Sequence, residues 1–398
     1  MRLFNCEVCG QLLYFENTQC MKCGATLGYL PGRNRLSALD PIEPEEGIPQ
    51  EVSPEEADKQ AAGDLDGEQA GTASAPPRQL WRPRADPDRL HRFCENAAQD
   101  ACNWLVPDDS PERFCLACRH NRTIPDISDP LNLARWQKIE EAKRRAFYGF
   151  IRLDLPLPNR VDDPQNGLVF DFLADMPDGG PNVMTGHDNG LITLALAEAD
   201  DAERVRRREA MGEPYRTLLG HFRHESGHYF WDRLVRDGGR LEQCRAVFGD
   251  DSQDYGAALQ RHYNEGPPAD WQENYVSTYA TAHPWEDFAE TWAHYLHIVD
   301  TLEMARAFGL GIDPHADKSG TLTAEVDFDP YRETRIEPLM EAWVPLTAAV
   351  NSLNRCMGTP DLYPFVLSPA VVAKLAFIQS LVHGELPGAQ AEAVPVAA

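Results

Sequence analysis

Apolar positions beyond residue 126 fall into two rhythms, and each rhythm predicts its own elements. Across 131–148, Trp136, Ile139, Ala142 and Ala146 recur every three or four positions, the spacing that lines one face of a helix. Gly149 follows and reads as the stop of that helix. Two short apolar runs, 167–172 and 191–196, read as strands, with Asn189-Gly190 as a turn signal before the second. Helical spacing returns over about 215–234, and again over 285–302, where Pro284 stands at the entrance. Two further helices are expected near 337–353 and 369–382. Strands followed by several helices imply an α+β fold for a domain spanning 126–384.

Over 35–80 the pattern disappears. Acidic residues, Pro, Gly and Ala replace large apolar side chains, as in Ile42-Glu43-Pro44-Glu45-Glu46-Gly47. Such a stretch cannot bury enough surface to offset the entropy of ordering, so it is expected to be a disordered acidic linker. The Ala- and Pro-rich tail, 385–398, is expected to be disordered too. The 63 Asp and Glu residues outnumber the 37 Lys and Arg residues, a formal net charge of −26. That balance argues against nucleic acid as a partner. No apolar run approaches the roughly 20 residues that span a bilayer. The start, Met1 to Cys6, enters a cysteine motif directly, without the apolar core of a signal peptide. A soluble, cytoplasmic protein with no membrane association is the expectation.

Eight of the ten cysteines are grouped, which in a reducing compartment reads as metal binding rather than disulfides. Cys6-Glu7-Val8-Cys9-Gly10 and Cys20-Met21-Lys22-Cys23-Gly24 are two near-identical knuckles. Each supplies two thiolates to a tetrahedral zinc, and the glycine after each pair permits the positive φ such a turn needs. Residues 1–34 are too few to hold together by a core alone, so a structural zinc on Cys6, Cys9, Cys20 and Cys23 would supply folding energy. The unit resembles a zinc ribbon, which implies a structural role or the docking of a protein partner. Within 81–125, Cys94, Cys102, Cys115 and Cys118 form one wide and one tight pair. They are expected to hold a second structural zinc, with His91 and His120 able to replace a thiol. Cys244 and Cys356 stand alone and read as buried small apolar residues.

The chemistry-bearing stretch is His224-Glu225-Ser226-Gly227-His228. On a helix, residues four apart share a face, so His224 and His228 can share a zinc, with Glu225 beside them as general base. Leu218, Phe222, Tyr229 and Phe230 supply bulk for burial. A catalytic site of this kind needs a third ligand. Glu286 and Glu290 lie four apart on the expected 285–302 helix, bracketed by Trp285, Phe288, Ala289 and Trp292. Glu286 is assigned as ligand and Glu290 as the carboxylate that orients a histidine. Glu290 and His294 are rival ligands, and Asp287 is expected to face solvent.

The pairing of His224-Glu225-x-x-His228 with Glu286-x-x-x-Glu290 resembles the gluzincin metallopeptidases. Glu286-Asp287-Phe288-Ala289-Glu290 is similar to the third-ligand helix of the anthrax lethal factor group. There a tyrosine seven positions before the first acid faces the scissile carbonyl, a place Tyr279 occupies here, with Tyr275 one turn away as the alternative. Most of the chain also resembles a bacterial family of zinc-binding metallopeptidases with an N-terminal zinc ribbon. The marks are Cys102-Asn103-Trp104, Asn121 to Pro125, His221 to Glu225 and Glu290 to His294. The resemblance implies a zincin-like metallopeptidase domain that hydrolyses a peptide or amide bond. It also implies that strand 191–196 is the substrate-side edge strand, onto which a peptide could add. His187 and His221 lie near these elements, and His221 reads as structural. The competing reading is an adaptor that docks partners through its ribbons and no longer cuts.

Overall fold

The computed structural model describes residues 1–43, 79–175, 183–211 and 216–384. Its N-terminal part is built from hairpins. β1 (Phe4–Asn5) and β2 (Leu12–Leu13) pair around the first knuckle. β3 (Leu27–Leu30), β4 (Arg35–Ile42), β5 (Leu80–Pro83), β6 (His91–Phe93) and β7 (Leu105–Pro107) form one antiparallel sheet in chain order. The expected linker start at residue 35 is therefore corrected. The chain does not leave the ribbon at 35 but continues as β4, so 35–42 form a strand where a linker was expected. Leu36, Ala38 and Leu39 in β4 are buried, so this stretch orders because β3 and β5 flank it. Residues 44–78 of the expected linker, and the tail 385–398, lie outside the described residues.

A second, mixed sheet has the order β10-β11-β9-β8. It comprises β8 (Asn121–Thr123), β9 (Val169–Leu173), β10 (Gly186–Asp188) and β11 (Leu191–Ala195). β11 runs parallel to β9, and β10 folds back antiparallel on β11. The edge strands are therefore β10 and β8, and 191–196, expected at an edge, lies inside as β11. Asn189 (φ 45°) and Gly190 (φ 82°) make the turn, and both take the left-handed conformation that a tight hairpin needs.

The helices that follow are α1 (Pro130–Arg152), α2 (Asp201–Met211), α3 (Leu218–Phe230), α4 (Leu241–Phe248), α5 (Tyr255–Glu265) and α6 (Pro284–Phe308), of which α1 and α3 meet the sheet at Phe170 through Phe147 and Phe222. The short pair β12 (Gly311–Ile312) and β13 (Ala324–Glu325) precedes α7 (Ile336–Cys356) and α8 (Pro369–Val382). α1 does not stop at Gly149 but runs through it. A Cβ there would stand 3.4 Å from the Tyr331 hydroxyl, an ordinary contact. Arg152, in the last turn, is held by Glu303 and Asp329 at 3.0 and 2.8 Å. Cys244 is buried, but Cys356 is exposed, because the buried positions of α7 end at Leu346. Among the described residues no helix is long and apolar enough to cross a membrane.

One core joins the two parts. Phe15 of the ribbon packs edge-on against Tyr29 and Trp104, and also against Tyr148 of α1, at ring separations of 4.7, 6.2 and 5.5 Å. Deeper in the helical domain, Phe230 of α3 lies between Trp292 of α6 at 4.9 Å and Phe150 of α1 at 5.3 Å. These contacts fix how α3 lies on α6.

Candidate metal centre

Two helices build the site, and both have definite starts. Thr217 caps α3, its hydroxyl accepting from the Gly220 N–H at 2.9 Å. His283 caps α6 by accepting from the Trp285 N–H at 3.1 Å, with Pro284 in the first helical position. The helices meet at Gly227, where a Cβ would stand 2.8 Å from the Ala289 Cα. That close crossing turns His224 and His228 toward Glu286 and Glu290. Ser226, on the far side, takes a hydrogen bond from the Trp292 indole at 3.3 Å.

His224 Nε2 lies 3.0 Å and His228 Nε2 3.5 Å from Glu286 Oε2. The three candidate ligand atoms lie within 4.8 Å of one another. Glu290 Oε1 accepts from His224 Nδ1 at 2.6 Å, while its Oε2 accepts from the Ser277 hydroxyl at 2.6 Å. With its proton on Nδ1, His224 turns a lone pair toward Glu286. Glu286 Oε2 is buried without a hydrogen-bond donor, and His228 Nδ1 is also unpartnered. Lone pairs converging in a buried space repel unless a cation sits among them. Burial disfavours charge on His224, yet Glu286 and Glu290 lift its pKa well above the usual range. Burial would likewise raise Glu286, but His228 and His224 hold it well below the carboxylate range. Two imidazole nitrogens and one carboxylate oxygen are the donor set of a catalytic zinc, so these residues fit that ion.

Glu225 is buried at 7% exposure. Tyr279 stands with its ring 5.8 Å from that of His224. Burial first, then the charge of Glu286, raises the Tyr279 phenol, and Glu225 adds to the effect. Tyr255 was not anticipated from the sequence: its hydroxyl donates to Glu286 Oε1 at 2.6 Å. No motif surrounds it, and the only local signal is Asp254 as a helix cap. Trp285 lies 3.9 Å from the His228 ring, and His187, on β10, stacks on His228 at 6.0 Å.

Several candidates fall elsewhere. Asp287 was expected in solvent but is fully buried, paired with Lys374 of α8 at 2.6 Å, because α6 is covered on both sides. His294 Nδ1 lies 2.7 Å from the Tyr363 hydroxyl, with its ring against Phe365, away from the cluster. Tyr275 lies under the Lys374 ammonium at 4.3 Å. His221 donates to Glu198 at 3.1 Å, a carboxylate also held by Arg216 at 2.7 Å.

The eight grouped thiols form two further clusters, Cys6, Cys9, Cys20 and Cys23, and Cys94, Cys102, Cys115 and Cys118. In the first, Gly10 (φ 72°) and Gly24 (φ 74°) close the knuckles by donating to the Cys6 and Cys20 carbonyls at 2.8 Å. In the second, all four cysteines are buried, and two backbone N–H groups point at sulfur: Trp104 to Cys102 and Cys115 to Cys94, each at 3.4 Å. His91 and His120 spend their rings on backbone carbonyls, His91 on Arg89 and His120 on Leu116 and Leu157. Neither replaces a thiol.

A family model described as "Putative zinc-binding metallo-peptidase" matches residues 132–381, and a zinc-ribbon domain model matches 3–69 and 66–129. Uncharacterized proteins of Mycobacterium tuberculosis (strain H37Rv) and Mycobacterium bovis are each 38% identical over 388 residues, covering 97% of this chain and 97% of the relative. No solved structure matches the chain.

Proposed function

The chain belongs to this metallo-peptidase family, and on that premise we propose that it is a zinc-dependent peptidase of gluzincin-like type with a zincin-like catalytic domain. The observation that carries the reading is the convergence of His224 Nε2, His228 Nε2 and Glu286 Oε2, with His224 oriented by Glu290. Zinc held there would polarise a substrate carbonyl and lower the pKa of water toward ~7, supplying a nucleophile at neutral pH. Glu225 takes the proton from the attacking water and returns it to the leaving amine. Tyr279 donates a hydrogen bond to the oxygen on which negative charge develops. Glu290 keeps the His224 proton on Nδ1. β10, with one side unpaired in its sheet, offers main-chain hydrogen bonds to an extended peptide. Each thiol cluster holds one structural zinc, which suits a reducing, cytoplasmic setting.

Glu225→Gln, assayed by mass spectrometry on a mixed peptide library, should keep three zinc ions per chain and lose cleavage. Unchanged cleavage would remove Glu225 as the base. Glu286→Ala should release one zinc and leave the two held by thiols; an unaltered metal content would sink the assignment of the ligand set.

A further inference from the structure

We propose that Tyr255 is a positioning residue for the metal centre: its hydroxyl occupies one oxygen of Glu286, so that Glu286 presents only the other to the metal. This rests on the reading of Glu286 as a ligand.

A carboxylate can hold a cation through one oxygen or two, and free rotation blurs the choice. Glu286 is 1% exposed, so the protein alone determines its orientation. Its Oε2 faces both histidine Nε2 atoms, and its Oε1 accepts from Tyr255 at 2.6 Å. That is the length of a strong bond between a hydroxyl and an ionised carboxylate.

The phenol is itself held. Tyr255 is the first residue of α5, which Asp254 caps by accepting from the Ala257 N–H at 2.9 Å. The Tyr255 ring meets His283 edge-on at 5.3 Å and Trp285 at 5.7 Å. His283 Nε2 also lies 3.2 Å from the Gln253 carbonyl. The cap of α6, His283, and Trp285 in its first turn thus grip the tyrosine that steadies the next residue, Glu286. Tyr255 is 37% exposed, so removing its oxygen opens no core cavity. Removal would instead leave Glu286 Oε1 buried without a donor and let the carboxylate turn.

The test is zinc affinity of the full chain by chelator competition, with Glu286→Ala as the reference that reports thiol-held zinc alone. Tyr255→Phe should weaken the zinc absent from that reference about 10- to 100-fold, the usual effect of losing a partner that orients a ligand. Its melting temperature in excess zinc should stay that of the wild type. Wild-type affinity in Tyr255→Phe overturns the proposal while Glu286 stands as ligand. If Glu286→Ala itself keeps all its zinc, the underlying reading fails instead. A second arm needs no variant: in a zinc-loaded crystal structure of the wild type, Glu286 Oε1 should remain on the Tyr255 hydroxyl. A hydroxyl turned away, or Glu286 bound through both oxygens, overturns the proposal.

Discussion

Gly227 sits between the two histidines of the site, and its missing side chain sets the distance between α3 and α6. A methyl group there would meet backbone, the Ala289 Cα at 2.8 Å, which cannot rotate aside. Overpacking of this kind costs about 1–3 kcal/mol, and the gain in helix propensity from Gly to Ala returns about 1 kcal/mol. Gly227→Ala is therefore expected to lose up to about 2 kcal/mol in denaturant unfolding. It should also weaken binding of the zinc proposed at His224, His228 and Glu286, because the histidines move off Glu286. Full stability together with full zinc occupancy would show that the helices can separate without disturbing the site.

α6 is the element on which the site depends, and it is buried along much of its length. Its face toward α3 carries Glu286 and Glu290, and toward α8 Asp287 meets Lys374. Burial pushes the Asp287 carboxyl up to about 7, with Lys374 pulling the other way. The same ammonium also donates to the Asn274 carbonyl at 2.6 Å, tying the loop before α6 to α8. Removing one partner of a buried ion pair strands the other, at a cost of about 3–5 kcal/mol. Lys374→Met should show that loss, and adding Asp287→Asn should recover part of it. Equal losses in the single and double variants would place the cost in packing rather than in charge.

Across the whole molecule, the ribbons share one hydrophobic core with the helical domain rather than standing apart as a detachable appendage. Phe15, Tyr29 and Trp104 pack with Tyr148 of α1. At the second thiol cluster, Cys118 Sγ lies 3.6 Å from Glu140 of α1, and the buried Arg144 guanidinium binds the Ala101 carbonyl. Burial would lower the Arg144 pKa, but the charges of Cys102, Glu140, Cys118 and Cys115 leave it raised. A zinc with four thiolates carries a net negative charge, which that guanidinium offsets. Cys102→Ser should remove one zinc and also lower the melting temperature of the helical signal, by about 10 °C or more. Each kcal/mol moves a domain of this size by about 2–4 °C. An unchanged helical transition would show that the two parts fold independently.

The sequence by itself determined what is local. Spacing of four put His224 and His228 on one face, and the Cys-x-x-Cys-Gly repeats defined the first thiol cluster. Pro284 marked where α6 begins. These features need only neighbours within a turn or two. Glu286, Glu290 and His294 are also four apart, so all three lie on one face of one helix and no local rule separates them. Only the crossing of α3 over α6 at Gly227 and Ala289 brings Glu286 to the histidine Nε2 atoms, puts Glu290 on Nδ1, and leaves His294 with Tyr363. Tertiary structure likewise ordered β4, whose apolar positions have a place only between β3 and β5, and made β10 an edge of its sheet. It also brought in Tyr255, 31 residues from its carboxylate partner, a separation across which sequence periodicity carries no information.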